Sequence, residues 1–296
     1  MKHVAALIAL GGLSACVMAP QATPPVPQQA ATSPSSRPAG PGATYQYLYG
    51  SGEGGALSVQ AYAALLNHVA AVGRPKNSVI LAEGSTLAAP TFVPCGDKPL
   101  AAVFDVDETV LLNLGFEEKD ARRGGGPFDP KAWDRWERTG GTAVAPVPGA
   151  VYAMRQLRAK GVTVIFNTNR SAETADQTVA AVKYAGLGDF VHGQTLFLQG
   201  DDSAGSKKDG RRSTIAARYC VVAMGGDQLG DFSDQFNQIA NPRERREAAS
   251  HGEVARLWGN GWFVLPNPVY GSGLRGGFDD VFPTDKRWDD PAQGAN

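Results

Sequence analysis

Five short apolar runs divide the chain, and stretches with helical spacing separate them. The runs occupy residues 101–105, 162–166, 196–198, 220–224 and 262–265, and helical patterns occupy residues 56–72, 149–160, 171–185, 210–218 and, with an interruption at Pro242, 231–249. Strands that alternate with helices form a parallel sheet that the helices cover on both faces. The sequence therefore predicts an α/β fold, a three-layer Rossmann-like parallel sheet with helices on both faces.

Polar side chains follow three of these runs, at the edge where open α/β sheets bind their ligands. They are Asp105 and Asp107 after the first run, Thr168 and Asn169 after the second, and Asp227 and Asp231 after the fourth. The stretch "SKKDGRR" before the fourth run adds a lysine, either Lys207 or Lys208. We expect these groups to converge on one rim of the sheet.

Carboxylates gathered on one rim repel each other unless a cation lies among them. Oxygen ligands of this kind suit Mg²⁺, which takes a few carboxylates, waters and a phosphate. Asp105 and Asp227 are the expected ligands, and Asp231 is expected to support the metal or its waters.

A bound phosphate would give the remaining groups a role. Asp105 could attack phosphorus as a nucleophile, and Asp107 could protonate the leaving oxygen and later activate water. Thr168, Asn169 and one lysine would bind the phosphoryl oxygens. Each residue alone has an ordinary alternative role, such as a helix cap or a surface ion pair, but four signals in order at strand ends favour the functional interpretation.

Four motifs resemble those of the haloacid dehalogenase superfamily: "VFDVDETVL", "FNTNR", "KDGR" and "GGDQLGDF". With "VLPNPVYG" and the lipobox-like "LSAC", they are similar to the class C acid phosphatases, lipoproteins of the outer membrane that are also described as 5′-nucleotidases. The resemblance implies a Mg²⁺-dependent acid phosphatase that hydrolyses phosphomonoesters, such as nucleoside monophosphates, through an aspartyl-phosphate.

The same resemblance assigns roles by position. Asp105 corresponds to the nucleophile and metal ligand, and Asp107 to the acid/base whose backbone carbonyl also binds the metal. Asp227 corresponds to the metal aspartate and Asp231 to its partner. Lys208 lies three residues before an arginine, as the family lysine commonly does, but the adjacent Lys207 leaves this choice open.

The stretch between the first two motifs, residues 113–147, is expected to form a small cap insertion. Its aromatic residues Phe128, Trp133 and Trp136 are candidates for stacking on a substrate base or aromatic ester, although large aromatics more often pack in a core. Tyr270, in "PNPVYG", is a further candidate by similarity to an aromatic residue at the family's substrate cleft.

The N-terminus predicts export and a lipid anchor. Residues 1–15 combine a charged start with an apolar run too short to span a bilayer, as in a lipoprotein signal peptide. Cys16 would carry the lipid, residues 16–45 would form a flexible Pro- and Ala-rich tether, and residues 46–296 would form the phosphatase domain. Because Val17 rather than aspartate follows Cys16, the family rule predicts an outer-membrane lipoprotein facing the periplasm or the surface.

Composition narrows the function further. Twenty-eight basic and 29 acidic residues give a net charge of -1, which argues against a nucleic-acid partner.

Cys95 and Cys220 each precede an apolar run and could form a disulfide in an oxidising compartment, or remain buried thiols. Alternatives to a phosphatase are a phosphotransferase with the same intermediate and a non-catalytic binding lipoprotein of the envelope. The sequence leaves open whether the chain acts alone or as a homodimer.

Overall fold

A computed structural model describes residues 40–290. Its strands are β1 (Asn77–Leu81), β2 (Phe92–Pro94), β3 (Leu100–Phe104), β4 (Leu111–Leu112), β5 (Ala145–Pro146), β6 (Thr163–Ser171), β7 (Leu196–Gln199), β8 (Cys220–Gly226) and β9 (Trp262–Val264). Its helices are α1 (Ala43–Tyr45), α2 (Gly52–Val72), α3 (Leu114–Arg122), α4 (Pro130–Thr139), α5 (Ala150–Ala159), α6 (Ala175–Tyr184), α7 (Asp209–Arg218), α8 (Gln235–Gln238), α9 (Pro242–Ser250) and α10 (Phe278–Val281).

The centre of the fold is a five-stranded sheet in the order β7-β6-β3-β8-β9, and all of its strand pairs are parallel. Along β3, Ala102 and Phe104 pack on one side with residues of α2, α5 and α6. Ala101 and Val103 pack on the other side with residues of α7 and α8. Side chains that alternate between two helix-covered faces are those of a three-layer α/β fold, which confirms the predicted fold class.

Two central strands are longer than the sequence predicts. β6 continues to Ser171, because Asn167 pairs with Phe197 and Ser171 with Gln199 on β7. Thr168 and Asn169 therefore belong to the carboxyl-terminal part of the strand rather than to the loop beyond it. β8 continues to Gly226, so Asp227 is the first residue after the strand.

The sequence predicts helical structure over residues 231–249 with an interruption at Pro242, and the helical structure does break just before that proline. The structure has two separate helices there, α8 and α9, and Pro242 begins α9 rather than interrupting a helix. Proline suits the first helical position because that residue needs no N–H partner. Asn241 caps this helix, since its side chain accepts hydrogen bonds from the N–H groups of Arg243 and Glu244.

The antiparallel pair formed by β1 and β2 was not predicted from the sequence. β2 has only three residues and ends in proline, so no periodic pattern marks it. Ile80 of β1 nevertheless packs into the core beneath the sheet.

A small helical insertion follows the first motif. β4 and β5 pair in antiparallel fashion, and α3 and α4 lie between them in the sequence. The carboxylate of Asp129 caps α4 by accepting hydrogen bonds from two backbone N–H groups, and Pro130 begins the helix.

Helix α2 is, among the described residues, the one helix long and apolar enough to cross a membrane by length and composition alone. Tyr62, Leu65 and Val69 of this helix are buried in the main core cluster. Its apolar face is thus used for packing on the domain.

Cys95 and Cys220 form a disulfide with a Cα–Cα distance of 4.6 Å. The sequence left open whether these two cysteines pair or remain thiols, and the structure shows that they pair. The predicted signal peptide, the lipidation site Cys16 and residues 17–39 of the predicted tether lie outside the described residues. The last part of that tether, Ala43–Tyr45, is helical rather than extended.

Candidate active site

Three carboxylates meet at the carboxyl edge of the sheet. Asp105 follows β3, and Asp227 and Asp231 follow the adjacent strand β8. One oxygen from each of the three lies within 4.8 Å of the others. The sheet order thus brings together residues that are more than a hundred positions apart in the sequence.

Local structure explains how Asp231 reaches this group. A Cβ on Gly226 would collide with the side chain of Asp231, so glycine at this position allows the close approach. The N–H of Gln228 donates to Oδ2 of Asp231 at 2.9 Å. The turn after β8 therefore folds the Asp231 carboxylate back over the end of the strand.

Asp227 is held by polar neighbours. Its Oδ2 accepts hydrogen bonds from the side-chain amides of Asn267, at 2.7 Å, and Gln228, at 3.0 Å. Its Oδ1 accepts one from the hydroxyl of Thr109 at 3.2 Å. The sequence alone assigns none of these three partners, although Asn267 lies within the "PNPVYG" stretch.

Lys208 is the cation of the cluster. Its Nζ lies 2.6 Å from Oδ1 of Asp105 and 2.6 Å from Oδ1 of Asp231. The side chain is buried, whereas its neighbour Lys207 is exposed. Of the two lysines that the sequence left open, only Lys208 contacts the carboxylates.

Hydrogen bonds at the start of α7 orient Lys208 toward the carboxylates. The carboxylate of Asp234 accepts hydrogen bonds from the N–H groups of Lys208 and Asp209 at 2.7–2.9 Å. The buried guanidinium of Arg212 donates to the carbonyls of Gly230 and Asp231 at 3.0 and 2.8 Å. The helix and the turn after β8 are thereby fixed to each other.

Burial and mutual repulsion govern the charges of the cluster. Burial raises the pKa of Asp105 well above its usual range, and Lys208 opposes this effect. Burial, together with repulsion from Asp231, raises the pKa of Asp227 to about 7. Burial lowers the pKa of Lys208, but attraction to Asp105 and Asp231 outweighs it and leaves that pKa raised. Three crowded acids with one lysine form an anionic, all-oxygen donor set that suits a hard divalent cation.

Asp107 belongs to a neighbouring arrangement and is not one of the three clustered carboxylates. Its Oδ1 accepts hydrogen bonds from Nη2 and Nε of Arg170, at 2.7 and 2.9 Å, and from the amide of Asn113 at 2.9 Å. Arg170 is almost fully buried and also donates to Asn113 at 2.8 Å. The sequence alone assigns Arg170 no role, although this residue completes the "FNTNR" motif.

The two polar residues of the second motif lie in different surroundings. Thr168 is fully buried, and its hydroxyl accepts a hydrogen bond from the N–H of Arg170 at 3.2 Å. Asn169 is exposed; its amide donates to the carbonyl of Ser206 at 3.0 Å, and its oxygen accepts from Arg211 at 2.6 Å. Asn169 thus links β6 to the loop before Lys208.

The aromatic candidates are spread over the insertion and the last loop. Trp133 is partly buried: its indole N–H donates to Glu137 at 2.8 Å, and its ring packs edge-on against Phe116 at 5.0 Å. Trp136 donates to Asn113 at 3.1 Å. Phe128 is 66% exposed and lies 6.2 Å from the Trp133 ring, so the tryptophans pack within the insertion while Phe128 faces solvent.

Tyr270 lies beside the first motif. Its hydroxyl donates to Oε2 of Glu108, which is 1% exposed. Its backbone carbonyl accepts a hydrogen bond from Gln228 at 3.2 Å. Burial, followed by repulsion from Asp107 and Glu117, raises the pKa of Glu108 to about 8. This glutamate lies within the first motif, beside Asp107, and the motif does not indicate that it is buried.

A parallel sheet with such a rim of carboxylates and a lysine defines the haloacid dehalogenase class of α/β enzymes. Residues 65–273 match the family described as HAD superfamily, subfamily IIIB (acid phosphatase). The chain therefore belongs to this family of acid phosphatases, and it is a phosphomonoesterase.

Two solved structures resemble this chain. The class C acid phosphatase from Bacillus anthracis is 25% identical, with a TM-score of 0.62, over 78% of this chain and 84% of that one. A crystal structure of the class C acid phosphatase from Bacillus anthracis with tungstate bound is 23% identical, with a TM-score of 0.62, over 84% of this chain and 91% of that one, and shows the shared fold. No curated protein matches this chain.

Proposed function

We propose that this phosphatase is Mg²⁺-dependent and hydrolyses phosphomonoesters, nucleoside monophosphates among them, through a phosphorylated Asp105. The observation that carries the proposal is the buried ammonium of Lys208, which lies 2.6 Å from both Asp105 and Asp231. A lysine held between a nucleophile and a metal carboxylate is suited to bind phosphoryl oxygens as they gain charge.

The donor set fits Mg²⁺. Asp105, Asp227 and Asp231 offer clustered carboxylate oxygens and no nitrogen or sulfur ligand, which is the chemistry that Mg²⁺ prefers. When bound, the ion would offset the charge of these carboxylates and of the substrate phosphate. The backbone carbonyl of Asp107 is a further expected ligand by family resemblance.

In the first step, the carboxylate of Asp105 attacks phosphorus, and the bond between phosphorus and the ester oxygen breaks. Asp107 gives the leaving oxygen its proton. Thr168, Asn169 and Lys208 bind the phosphoryl oxygens. The contacts of Arg170 and Asn113 with Asp107 fix the orientation of that carboxyl group.

In the second step, water attacks the phosphorus atom carried by Asp105 while Asp107 takes a proton from the water. The bond between phosphorus and the Asp105 oxygen breaks, which releases phosphate and restores the Asp105 carboxylate. An alcohol in place of water would make the enzyme a phosphotransferase with the same residues. Around this chemistry, Phe128, Trp133 and Tyr270 are proposed to contact the leaving group. Tyr270 is linked to Asp227 of the cluster through Gln228 and Asn267.

The experiment is phosphate release from a panel of nucleoside, aryl and alkyl monophosphates, with Mg²⁺ and with a chelator. Loss of activity in chelator and recovery on adding Mg²⁺ are expected, and Asp105→Asn is the inactive control. Addition of a small alcohol separates hydrolysis from transfer, because transfer yields a new phosphate ester. Absence of turnover on every ester would favour the non-catalytic binding lipoprotein instead.

We also propose that the protein is an outer-membrane lipoprotein anchored through Cys16. The disulfide between Cys95 and Cys220 supports export to an oxidising compartment. Mass spectrometry of membrane-fractionated protein is expected to find a lipidated Cys16 at the N-terminus. An unmodified chain that retains the residues before Cys16 would contradict this location.

A further inference from the structure

Glu108 has an unusual backbone. Its φ is +52°, and among the described residues it is the one non-glycine residue with a positive φ. Such a conformation costs of the order of 1–3 kcal/mol and persists where surrounding contacts enforce it, often at functional sites. Here the N–H of Glu108 donates to the carbonyl of Leu111 at 2.8 Å, and the N–H of Asn113 donates to its carboxylate at 3.0 Å.

This strained turn places one carboxylate between two tyrosines. The hydroxyl of Tyr49 donates to Oε1 of Glu108 at 3.2 Å, and the hydroxyl of Tyr270 donates to Oε2. Tyr49 comes from the π-helical turn Gln46–Gly50, and Tyr270 from the loop that follows β9. Each of the two side-chain oxygens of Glu108 thus faces one phenol, so a single residue can bind both hydroxyls at once.

The N-terminal turn is tied to the same region at a second point. The hydroxyl of Tyr45 donates to Asp120 of α3 at 2.5 Å. The family match begins at residue 65, so Tyr45 and Tyr49 lie before it. A segment that precedes the matched region is therefore held against the first motif and the insertion.

On the other side, Tyr270 leads to the carboxylate cluster. Gln228 donates to the carbonyl of Tyr270 and to Asp227, and Asn267 donates to Asp227 while its oxygen accepts from the N–H of Tyr270 at 3.3 Å. The backbone of Tyr270 is thus linked to the cluster while its hydroxyl is bonded to Glu108, and the residue remains 36% exposed.

We propose that Tyr49, Glu108 and Tyr270 form a clasp at the substrate entrance. In this clasp Glu108 is a positioning residue that holds the Tyr270 ring as one wall of the entrance. Through Tyr49, it also makes the N-terminal turn part of that wall. The proposal rests on the proposed phosphatase function. The clasp acts on the leaving group and not on phosphorus. It should therefore favour aryl and nucleoside esters, which offer a flat ring to Tyr270, over short alkyl esters.

The test removes single hydroxyls. Tyr49→Phe and Tyr270→Phe keep both rings and the fold, and each deletes one hydrogen bond to Glu108. The readout is the ratio of kcat/KM for a nucleoside monophosphate to kcat/KM for a short alkyl monophosphate. Each variant is expected to lower this ratio about three- to ten-fold, mainly through KM for the nucleoside ester, as loss of one hydrogen bond implies.

Two further variants separate positioning from general damage. In the double variant the two effects should not multiply, because both phenols act through one carboxylate. Glu108→Gln keeps one acceptor oxygen, so its ratio of kcat/KM values should stay closer to that of the wild type than the ratio of Glu108→Ala does. Tyr152→Phe, at an exposed tyrosine, is the matched control and should leave the ratio as in the wild type.

The outcomes are distinct. A wild-type chain that releases phosphate from neither ester overturns the proposed function itself. An active wild type whose ratio is unchanged in Tyr49→Phe and Tyr270→Phe, or falls equally in Tyr152→Phe, overturns the clasp alone. Equal losses on both esters would likewise contradict it, since they would indicate a general effect on turnover.

Discussion

Lys208 Nζ lies 2.6 Å from Oδ1 of Asp105, although the two residues belong to motifs 103 positions apart. The contact joins the N-terminal end of α7 to the carboxyl end of β3. It requires the lysine side chain to be buried, and burial without partners would disfavour its charge. The carboxylates of Asp105 and Asp231 supply those partners, so the ammonium is held ready beside the nucleophile.

The first prediction concerns this lysine. Lys208→Met keeps an unbranched side chain and removes the charge, and it should lower kcat by about 10²–10³, the usual loss on removing one donor to a developing anion. Lys207→Met is the matched control on the exposed neighbour and should stay near wild type. Steady-state kinetics on one aryl phosphate measure both. Equal losses in the two variants would remove Lys208 from the proposed role.

The second prediction concerns the metal. Asp227→Asn replaces an anionic ligand by a neutral one and should weaken Mg²⁺ binding. Titration calorimetry with MgCl₂ measures the affinity directly, without substrate. Asp97→Asn, at an exposed aspartate, controls for the change in net charge. A wild-type affinity in Asp227→Asn would exclude this carboxylate as a ligand.

The five strands of the central sheet could be predicted from the sequence, because apolar runs such as residues 101–104 are buried on both faces. The expectation that acids follow neighbouring strands also holds for Asp105, Asp227 and Asp231. Lys207 and Lys208 could not be distinguished, because the choice depends on the helix start that Asp234 fixes from a distant loop.

Other contacts could not be predicted from the sequence for a similar physical reason. Arg170 meets Asp107 and Asn113 because β6 lies beside β3 in the folded sheet. The positive φ of Glu108 is enforced by its surroundings, since glutamate has no local preference for that conformation. Partners supplied by tertiary packing leave no periodic signal in the sequence.

The third prediction concerns the disulfide. It joins Cys95 and Cys220 across a sequence separation of 125, and loss of a native disulfide typically costs about 2–5 kcal/mol. The Cys95→Ser/Cys220→Ser double variant should therefore unfold at lower denaturant concentration than the wild type. Reductant should destabilise the wild type and leave the double variant unchanged. Alkylation of both cysteines in denaturant without reductant would show that the bond is not formed.

The fourth prediction concerns Glu117 of α3. Burial, with repulsion from Asp120 and Asp107, raises its pKa from 4.5 to about 7. Between these values the unfolded chain loses this proton before the folded one, so the free energy of unfolding falls as pH rises. Glu117→Gln removes the penalty and should stabilise the protein at pH 8 by at most about 3 kcal/mol, with little effect near pH 4.5.

Urea unfolding at the two pH values measures this difference. Glu118→Gln, at the exposed neighbour, is the control and should show no pH-dependent gain. If Glu117→Gln stabilises the protein equally at both pH values, its effect does not come from the shifted pKa.

The last prediction separates Asp105 from Asp107. Asp105→Asn removes the proposed nucleophile, so turnover should vanish on every ester. Asp107→Asn leaves the nucleophile and removes the proton donor, and help of this kind is worth about 10²–10⁴-fold. An alkyl phosphate, whose alkoxide leaves poorly without a proton, should lose most. A nitrophenyl phosphate should keep more of its first step and show a burst followed by slow turnover, because the second step still needs Asp107 as base. Stopped-flow release of nitrophenol measures the burst, and steady-state kinetics give the loss on each ester. Equal losses in both variants on both esters, with no burst, would show that the two aspartates do not divide the reaction in this way.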